Sequence, residues 1–243
     1  MPDTKAHEQP LHSRKQLNQT RRVELPPYRN ESLPFIVATN KKYLLVKRCL
    51  DTFFSAFILL GIMSWLIPIL ALLIKLDSPG PVFFTQRRIG KNGKQFLCYK
   101  LRTMLFQPEE EDIPAVRNDA RITKVGHFLR RTNLDELPQF LNVLLGQMSI
   151  VGPRPHMSSD CIRFSFVISA YSFRHIVRPG ITGLAQVKGF HGPAQDYESI
   201  IQRYYWDTEY IRNTGARLDC SIILKTIFMI GRNFLPKKST KHL

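Results

Sequence analysis

Acidic residues are scarce in this chain: 19 aspartates and glutamates stand against 35 lysines and arginines, a formal net charge of +16. Such an imbalance predicts anionic partners, whether nucleic acid, acidic lipid headgroups or phosphorylated substrates. Cysteine is also sparse. Cys49, Cys98, Cys161 and Cys220 lie far apart, with no CxxC pair and no Cys/His cluster. That spacing argues against a zinc site or a disulfide framework and points to a reducing compartment. A cleavable signal peptide is not expected either, because residues 1–40 are polar, basic and proline-containing and read as a flexible tail.

Long apolar runs are equally few, which gives weight to the one at Thr52–Ile74, "TFFSAFILLGIMSWLIPILALLI". Its 23 residues carry no charge. As a helix it would measure about 35 Å, enough to reach across a bilayer core. Its flanks are odd for a simple span. Lys41, Lys42, Lys47 and Arg48 precede it, and Lys75, Arg87, Arg88, Lys91 and Lys94 follow. Positive residues favour the cytoplasmic side, so both ends compete for the same face. Pro68 lies inside the run, where it removes a backbone bond and kinks or breaks a helix. A re-entrant helix-break-helix satisfies both observations, and a plain transmembrane helix is the alternative. Asp51 is expected to pair with Arg48 or Lys47.

After this anchor, "SPGPVFFTQRRIGKNGKQFLCYKLRTM" (78–104) reads as a turn, a short aromatic strand, a tight "GKNG" turn and a return strand. Lys100 and Arg102, two apart on an alternating strand, would point the same way and could face an anion. Residues 107–120, "QPEEEDIPAVRNDA", read as an acidic surface loop.

"RITKVGHFLRRTNLDELPQFLNVLLG" then reads as two helical pieces. Leu137, Phe140, Leu141, Leu144 and Leu145 form a one-sided apolar stripe on the second, and Gly146 ends it. Pro138 lacks an N–H and fits only the first turn, so the helix must begin close to Asp135 and Glu136. A helix start favours anions and keeps a carboxylate ionised. Simple capping would explain a lone Asp there. Here Arg130 and Arg131 lie one turn earlier and Arg154 follows in a stiff Pro-Arg-Pro frame. Arginine suits phosphate because its planar fork makes paired, charge-assisted bonds. An ionised carboxylate among such arginines, beside a membrane anchor, suggests a nucleophile attacking phosphorus. Glu136 would tune it or act as acid/base.

Taken together, "KRCLD", "SPGPVFFTQRRIGKNGKQFLCYKLRTM", "RITKVGHFLRRTNLDELPQFLNVLLGQMSIVGPRP" and "RPGITGLAQVKG" resemble the bacterial sugar transferase family, the monotopic polyprenyl-phosphate hexose-1-phosphate transferases. The resemblance runs in order from about Lys47 to Thr226. "GPRPH", "RPGITGLAQVKGFHG" and "DTEYIRN" are most similar to the branch that moves glucose-1-phosphate onto undecaprenyl phosphate; galactose-1-phosphate or an N-acetylhexosamine-1-phosphate is the alternative cargo.

The resemblance implies that Asp135 attacks the sugar-proximal phosphorus of a UDP-sugar and releases UMP. Undecaprenyl phosphate then takes the phosphosugar from the aspartyl enzyme. Glu136 would be the dyad partner, and Mg²⁺ held by Asp135 and substrate phosphates would offset their charge. Arg130 and Arg154 match the family's phosphate-binding arginines, and Lys100 and Arg102 its basic strand. His156 joins the set. Gly180, Gly183 and Gln186 would shape the loop over the nucleotide-sugar through backbone permissiveness.

Two departures stand out. The family's apolar hairpin breaks at a Ser-Pro pair, where this chain has Ser64 and Trp65, with proline arriving at Pro68. Asn133 also replaces a common serine, and can still cap or bond locally.

The expected architecture is α+β and mainly helical: a tail at 1–40, an anchor at 41–76, a catalytic domain at 77–235 with a small β-hairpin, and a basic tail at 236–243. "LDCSIILKTIFMIGRNFL" (218–235) reads as an interfacial helix lying on the bilayer or an ordinary core helix. The implied place is the inner membrane, catalytic domain on the cytoplasmic face, among lipids and with room for a homo-oligomer. Rival readings are weaker. A nucleic-acid binder leaves the dyad unexplained and shows no recognition motif. A conventional glycosyltransferase commonly presents an Asp-x-Asp metal motif, and none occurs here. A non-catalytic scaffold would not need both carboxylates.

Overall fold

The computed structural model describes residues 41–107, 119–192 and 196–234. The expected N- and C-terminal tails and most of the acidic loop fall outside them. The apolar run is helical throughout, from Lys41 to Asp77. It comprises helix α1 (Lys41–Phe57), a π-helical stretch at Ile58–Met63, and helix α2 (Ser64–Asp77). The irregularity therefore precedes Pro68, which sits within regular α2. In the distorted turns, the Ser64 hydroxyl donates to the Leu60 carbonyl at 2.7 Å and the Trp65 indole to the Gly61 carbonyl at 3.0 Å. These two side chains stand where the resemblance implied a Ser-Pro break. They supply donors where a π stretch loosens the backbone ladder.

Both ends of this helix rest on the rest of the protein. Near its start, Arg48 donates to the carbonyls of Val143 and Leu144, and Lys47 reaches Asp219 at 2.5 Å. Asp51 was expected to pair with a neighbouring cation. It does so with Lys47 at 4.0 Å, and its carboxylate also accepts from the Ser149 hydroxyl at 2.6 Å and the Ile150 amide at 3.3 Å. Near its end, Leu70 and Ile74 bury against Leu101 and Leu129. Fully burying such a side chain stabilises by roughly 1.5–3 kcal/mol. Between these ends Phe53, Phe57, Leu60, Trp65 and Ile69 remain exposed.

The hairpin forms as expected. Strands β1 (Phe83–Ile89) and β2 (Gln95–Leu101) pair antiparallel with Phe84 opposite Lys100 and Arg88 opposite Phe96. Asn92 and Gly93, both at positive φ, make the turn between them. Helix α3 (Lys124–Thr132) starts on the Thr123 hydroxyl, which accepts from the Gly126 amide at 3.0 Å. It ends at Asn133, whose left-handed backbone (φ 57°) suits asparagine better than most residues. Gly126 is required by contact: a β carbon there would lie 2.0 Å from the Thr103 carbonyl oxygen.

Helix α4 (Gln139–Leu144) reverses the expected stripe. Gln139, Asn142 and Val143 are buried, whereas Leu141, Leu144 and Leu145 are exposed. The polar side chains are bonded inward: Asn142 donates to the Leu97 carbonyl and accepts from the Tyr99 amide, tying α4 to β2. Gly146 (φ 80°) ends the segment as anticipated.

A second small sheet was not anticipated. Strand β3 (Ser149–Val151) runs parallel to β4 (Gly180–Thr182). Helices α5 (Ser158–Val167), α6 (Leu184–Val187), α7 (Tyr197–Arg212) and α8 (Ala216–Phe234) complete the fold. Tyr210, Ile211 and Ile222 of α7 and α8 pack on Val151 and Leu184. Helix α8 buries Ile222 in the core and leaves Leu224, Ile227 and Phe228 exposed.

Candidate active site

Asp135 and Glu136 lie in a single 3₁₀ turn, Leu134–Glu136, between α3 and α4. The left-handed Asn133 turns the chain out of α3, and the Glu136 amide donates back to the Asn133 carbonyl at 3.2 Å. The carboxylates thus precede α4, with Pro138 at its cap, rather than forming its first turn.

The two acids have different surroundings. Glu136 receives Lys100 Nζ at 2.7 Å on Oε1 and Arg154 Nη1 at 3.1 Å on Oε2. Arg154 Nη2 also bonds Oε1, so the guanidinium grips both oxygens. Burial would raise the Glu136 carboxyl, but Arg154 and Lys100 together hold it well below the usual carboxylate range. Asp135 is buried and makes no hydrogen bond from its carboxyl to another described residue. Burial pushes it up to about 6; Lys100 opposes that rise and the Glu136 charge adds to it. One carboxylate is a fixed counter-ion. The other is available.

Around them lies a cleft of about 1940 Å³, walled by the hairpin, α3, α6, α7 and α8. Its polar lining is dominated by arginines, including Arg88, Arg130, Arg154 and Arg203, and its apolar lining includes Phe84, Ile227 and Ile230. Phe54 and Ile58 of the long apolar helix reach the same space. An anion-binding pocket here opens beside apolar surface.

The pattern of the family described as "Bacterial sugar transferase" matches residues 42–233. The chain belongs to that family. It is 45% identical over 185 residues to a UDP-glucose:undecaprenyl-phosphate glucose-1-phosphate transferase of Escherichia coli (strain K12), covering 76% of this chain and 40% of that protein. It is 45% identical to the exopolysaccharide production protein PSS of Rhizobium leguminosarum bv. phaseoli, over 76% of this chain and 94% of that one. A third relative, from Aeromonas hydrophila, is a UDP-N-acetylgalactosamine-undecaprenyl-phosphate N-acetylgalactosaminephosphotransferase, 42% identical over 79% of this chain and 45% of its own. The chain thus spans less than half of the first and third of these proteins.

In this chain, the residues singled out in the sequence divide into groups. Lys100, Arg154, Asp135 and Glu136 come together as described. Arg130 lines the same cleft, held by its Nε on the Thr103 hydroxyl at 2.7 Å. Arg102 departs from the expectation of a phosphate ligand. Its Nε, Nη1 and Nη2 donate to the Pro81 carbonyl (2.5 Å), the Ser78 hydroxyl and Pro79 carbonyl (2.7 and 2.8 Å), and the Ser78 and Ile74 carbonyls (2.8 and 3.5 Å). All five donors are committed to the exit of α2. Strand β2 ends at Leu101, so the alternation that would align Arg102 with Lys100 stops one residue too soon.

His156 is buried in the wall of the same cleft, its Nδ1 against the Tyr171 hydroxyl and 3.2 Å from Arg174, its Nε2 3.4 Å from Arg203. Burial and the surrounding arginines hold its pKa well below the usual histidine range, so the ring is neutral. Gly180 and Gly183 are needed for a different reason than flexible backbone. A β carbon at Gly180 would lie 2.1 Å from the Gly152 nitrogen, and one at Gly183 would lie 2.2 Å from the Gly152 oxygen. They let β4 pass against the "GPRP" segment. Gln186 donates to the Ile181 carbonyl at 3.1 Å while its buried Oε1 has no partner among the described residues.

Other residues were missed. Arg88 shares the cleft face with Lys100, and counting by two across the hairpin from Lys100 through its partner Phe84 would have found it. Arg174 forms a fully buried pair with Asp207 at 2.7 Å and donates to the Arg154 carbonyl at 2.6 Å. No local signal marks that pair, because its partners are 33 residues apart.

A divalent cation fits this site in a limited way. Among the described residues no three acidic, histidine or cysteine side chains form a metal cage. Mg²⁺ commonly needs only one or two carboxylates when substrate phosphates and water supply the rest. Asp135 is the dyad carboxylate with uncommitted oxygens, so it would be the protein ligand.

Proposed function

We propose that this chain transfers a sugar-1-phosphate, glucose-1-phosphate first among the candidates, from a UDP-sugar to undecaprenyl phosphate. The observation that carries the reading is the asymmetry of the dyad. Glu136 is neutralised by Lys100 and Arg154, while Asp135 stands unbonded in an arginine-lined cleft. A carboxylate so placed is suited to attack phosphorus.

In the first half-reaction an Asp135 carboxylate oxygen bonds to the sugar-proximal phosphorus. The bond from that phosphorus to the bridging oxygen breaks, and its electron pair leaves with UMP. In the second, an oxygen of undecaprenyl phosphate attacks the same phosphorus and the pair returns to Asp135. Neither step requires a proton from the protein, which agrees with a Glu136 kept ionised. A bound Mg²⁺ would neutralise phosphate charge at Asp135. Arg130 faces the cleft and binds phosphate oxygens beside it.

The acceptor supports a membrane setting, and so do the exposed apolar residues of the long helix. Its two ends both bond to the catalytic domain, through Arg48 to Val143 and through Asp77 to the Val125 amide at 2.9 Å. A helix held at both ends by one domain favours dipping into the bilayer and returning over crossing it. The basic flanks support the cytoplasmic face of the inner membrane. Glucose is favoured by the printed activities of several relatives, and N-acetylgalactosamine or galactose is the second reading because relatives of those names align as well.

The test is the nucleotide released when detergent-purified protein meets UDP-glucose, Mg²⁺ and undecaprenyl phosphate, with Asp135→Asn alongside. UMP from the unaltered protein and none from the variant is expected. Release of UDP would sink the role given to Asp135.

A further inference from the structure

Four guanidiniums surround the single neutral imidazole of His156 in the cleft wall. Arg174 and Arg203 approach its two nitrogens at 3.2 and 3.4 Å. Arg88 donates to the adjacent Pro155 carbonyl at 3.4 Å, and Arg154 lies two residues along the same segment. Two carboxylates answer them: Asp207 pairs with Arg174 and Glu136 with Arg154. Asp160, the further carboxylate on this wall, pairs with Arg163 at 3.7 Å. Arg88 and Arg203 therefore have no ion-pair partner among the described residues, and both line the cleft. Arg203 is only 7% exposed, and its Nε has no hydrogen-bond partner among the described residues. Arg203 is buried and Arg88 part-buried; burial outweighs the nearby carboxylates, Asp207 for Arg203 and Asp160 and Glu136 for Arg88, and no carboxylate bonds either guanidinium directly, so the pair is set to receive a ligand carrying two negative charges.

Resting on the function proposed above, we infer that Arg88 and Arg203 form a cradle for a phosphate monoester dianion, used first by UMP as it leaves and then by the phosphate of the incoming polyprenyl chain. The stereochemistry of phosphoryl transfer supports the double use. Attacking and leaving oxygens lie roughly in line. If Asp135 attacks from one side, UMP departs from the other, and the acceptor must later enter where UMP left. Arg154 is less suited to this part, because each of its Nη atoms already donates to Glu136. Each half-reaction places a phosphate dianion at the same position, and arginine forks are well suited to hold it.

The test uses full-length protein in detergent without donor, measuring binding of radiolabelled UMP to the unaltered chain, Arg203→Met and Arg203→Lys. The melting temperature of each variant is recorded beside it. The expected result is UMP binding weakened at least tenfold in Arg203→Met and partly recovered in Arg203→Lys. Farnesyl phosphate should displace UMP from the unaltered protein, whereas uridine should displace it poorly. Wild-type UMP affinity in a folded Arg203→Met would overturn the cradle. Failure of farnesyl phosphate to displace UMP would overturn the shared use, leaving a site for the nucleotide alone. Turnover of UDP-glucose by the unaltered protein, followed in parallel, reports separately on the transferase reading: that reaction can fail while the cradle binds UMP, and the reverse.

Discussion

Arg154 holds both carboxylate oxygens of Glu136, and Lys100 holds one of them from the other side. The second acid of the dyad is thereby fixed as an anion before any substrate arrives. Its work is to orient two cations beside Asp135, and a role as proton carrier is disfavoured.

Replacing Glu136 with Gln should release that clamp. Breaking a buried pair from one side costs roughly 3–5 kcal/mol, so the melting temperature should fall. Misplaced groups in a reacting site cost about 10²-fold in rate, so UMP release should fall by that order at saturating donor. Arg154→Lys keeps the charge but loses the fork and should show a smaller version of both losses. Unchanged turnover in Glu136→Gln would remove Glu136 from the account.

A second expectation concerns pH. Burial raises the Asp135 carboxyl to about 6, so the proposed nucleophile is half ionised near that pH and becomes mostly ionised above it. At fixed Mg²⁺, kcat/KM for the donor should climb as pH rises toward and past 6, then level. Lys100 works against the rise. Lys100→Met should therefore move the acid limb to higher pH, and a limb that stays in place would refute the coupling.

Arg102 should behave as a structural residue. Its five donors fasten the turn at Ser78–Pro81, and hydrogen bonds from a charged group are worth about 1.5–3 kcal/mol each without adding fully. Arg102→Met is expected to lower stability by on the order of 3 kcal/mol while leaving KM for the donor within about twofold in the folded fraction. A selective rise in KM with no thermal change would restore the phosphate-ligand reading.

The course of the apolar helix can be read from its ends. In a chain lacking the four native cysteines, Lys42→Cys and Lys75→Cys place single thiols at exposed positions on either side of the uncharged run. A membrane-impermeant maleimide added to inside-out vesicles should label both. Labelling of one in inside-out and the other in right-side-out vesicles would establish a crossing helix.

Much of this site could be read from residue order. Local rules found the hairpin, the stop at Gly146, and Arg154 beside Asp135 and Glu136, while Lys100 joined them through the family resemblance. They failed where the assumption behind them failed. The leucine stripe of α4 is one-sided, and apolar faces normally turn away from water. In the fold Asn142 and Gln139 turn inward, because Asn142 ties α4 to β2, while Leu141 and Leu144 face outward at the foot of an apolar helix. Strand alternation carried Arg102 one residue beyond the end of its strand. Gly183 suggested a supple loop, yet its need is for room, since Gly152 passes too close for any β carbon. Arg203 and Arg174 escaped because their partners are distant in sequence.

The bond from the Asp77 carboxylate to the Val125 amide joins the last turn of α2 to the first turn of α3, and α3 ends at the asparagine that sets Asp135. No flexible linker lies anywhere along that path. If α2 anchors the chain as proposed, the thickness and lateral pressure of the surrounding lipid would act on one end of a hydrogen-bonded path whose other end is the carboxylate proposed as the nucleophile.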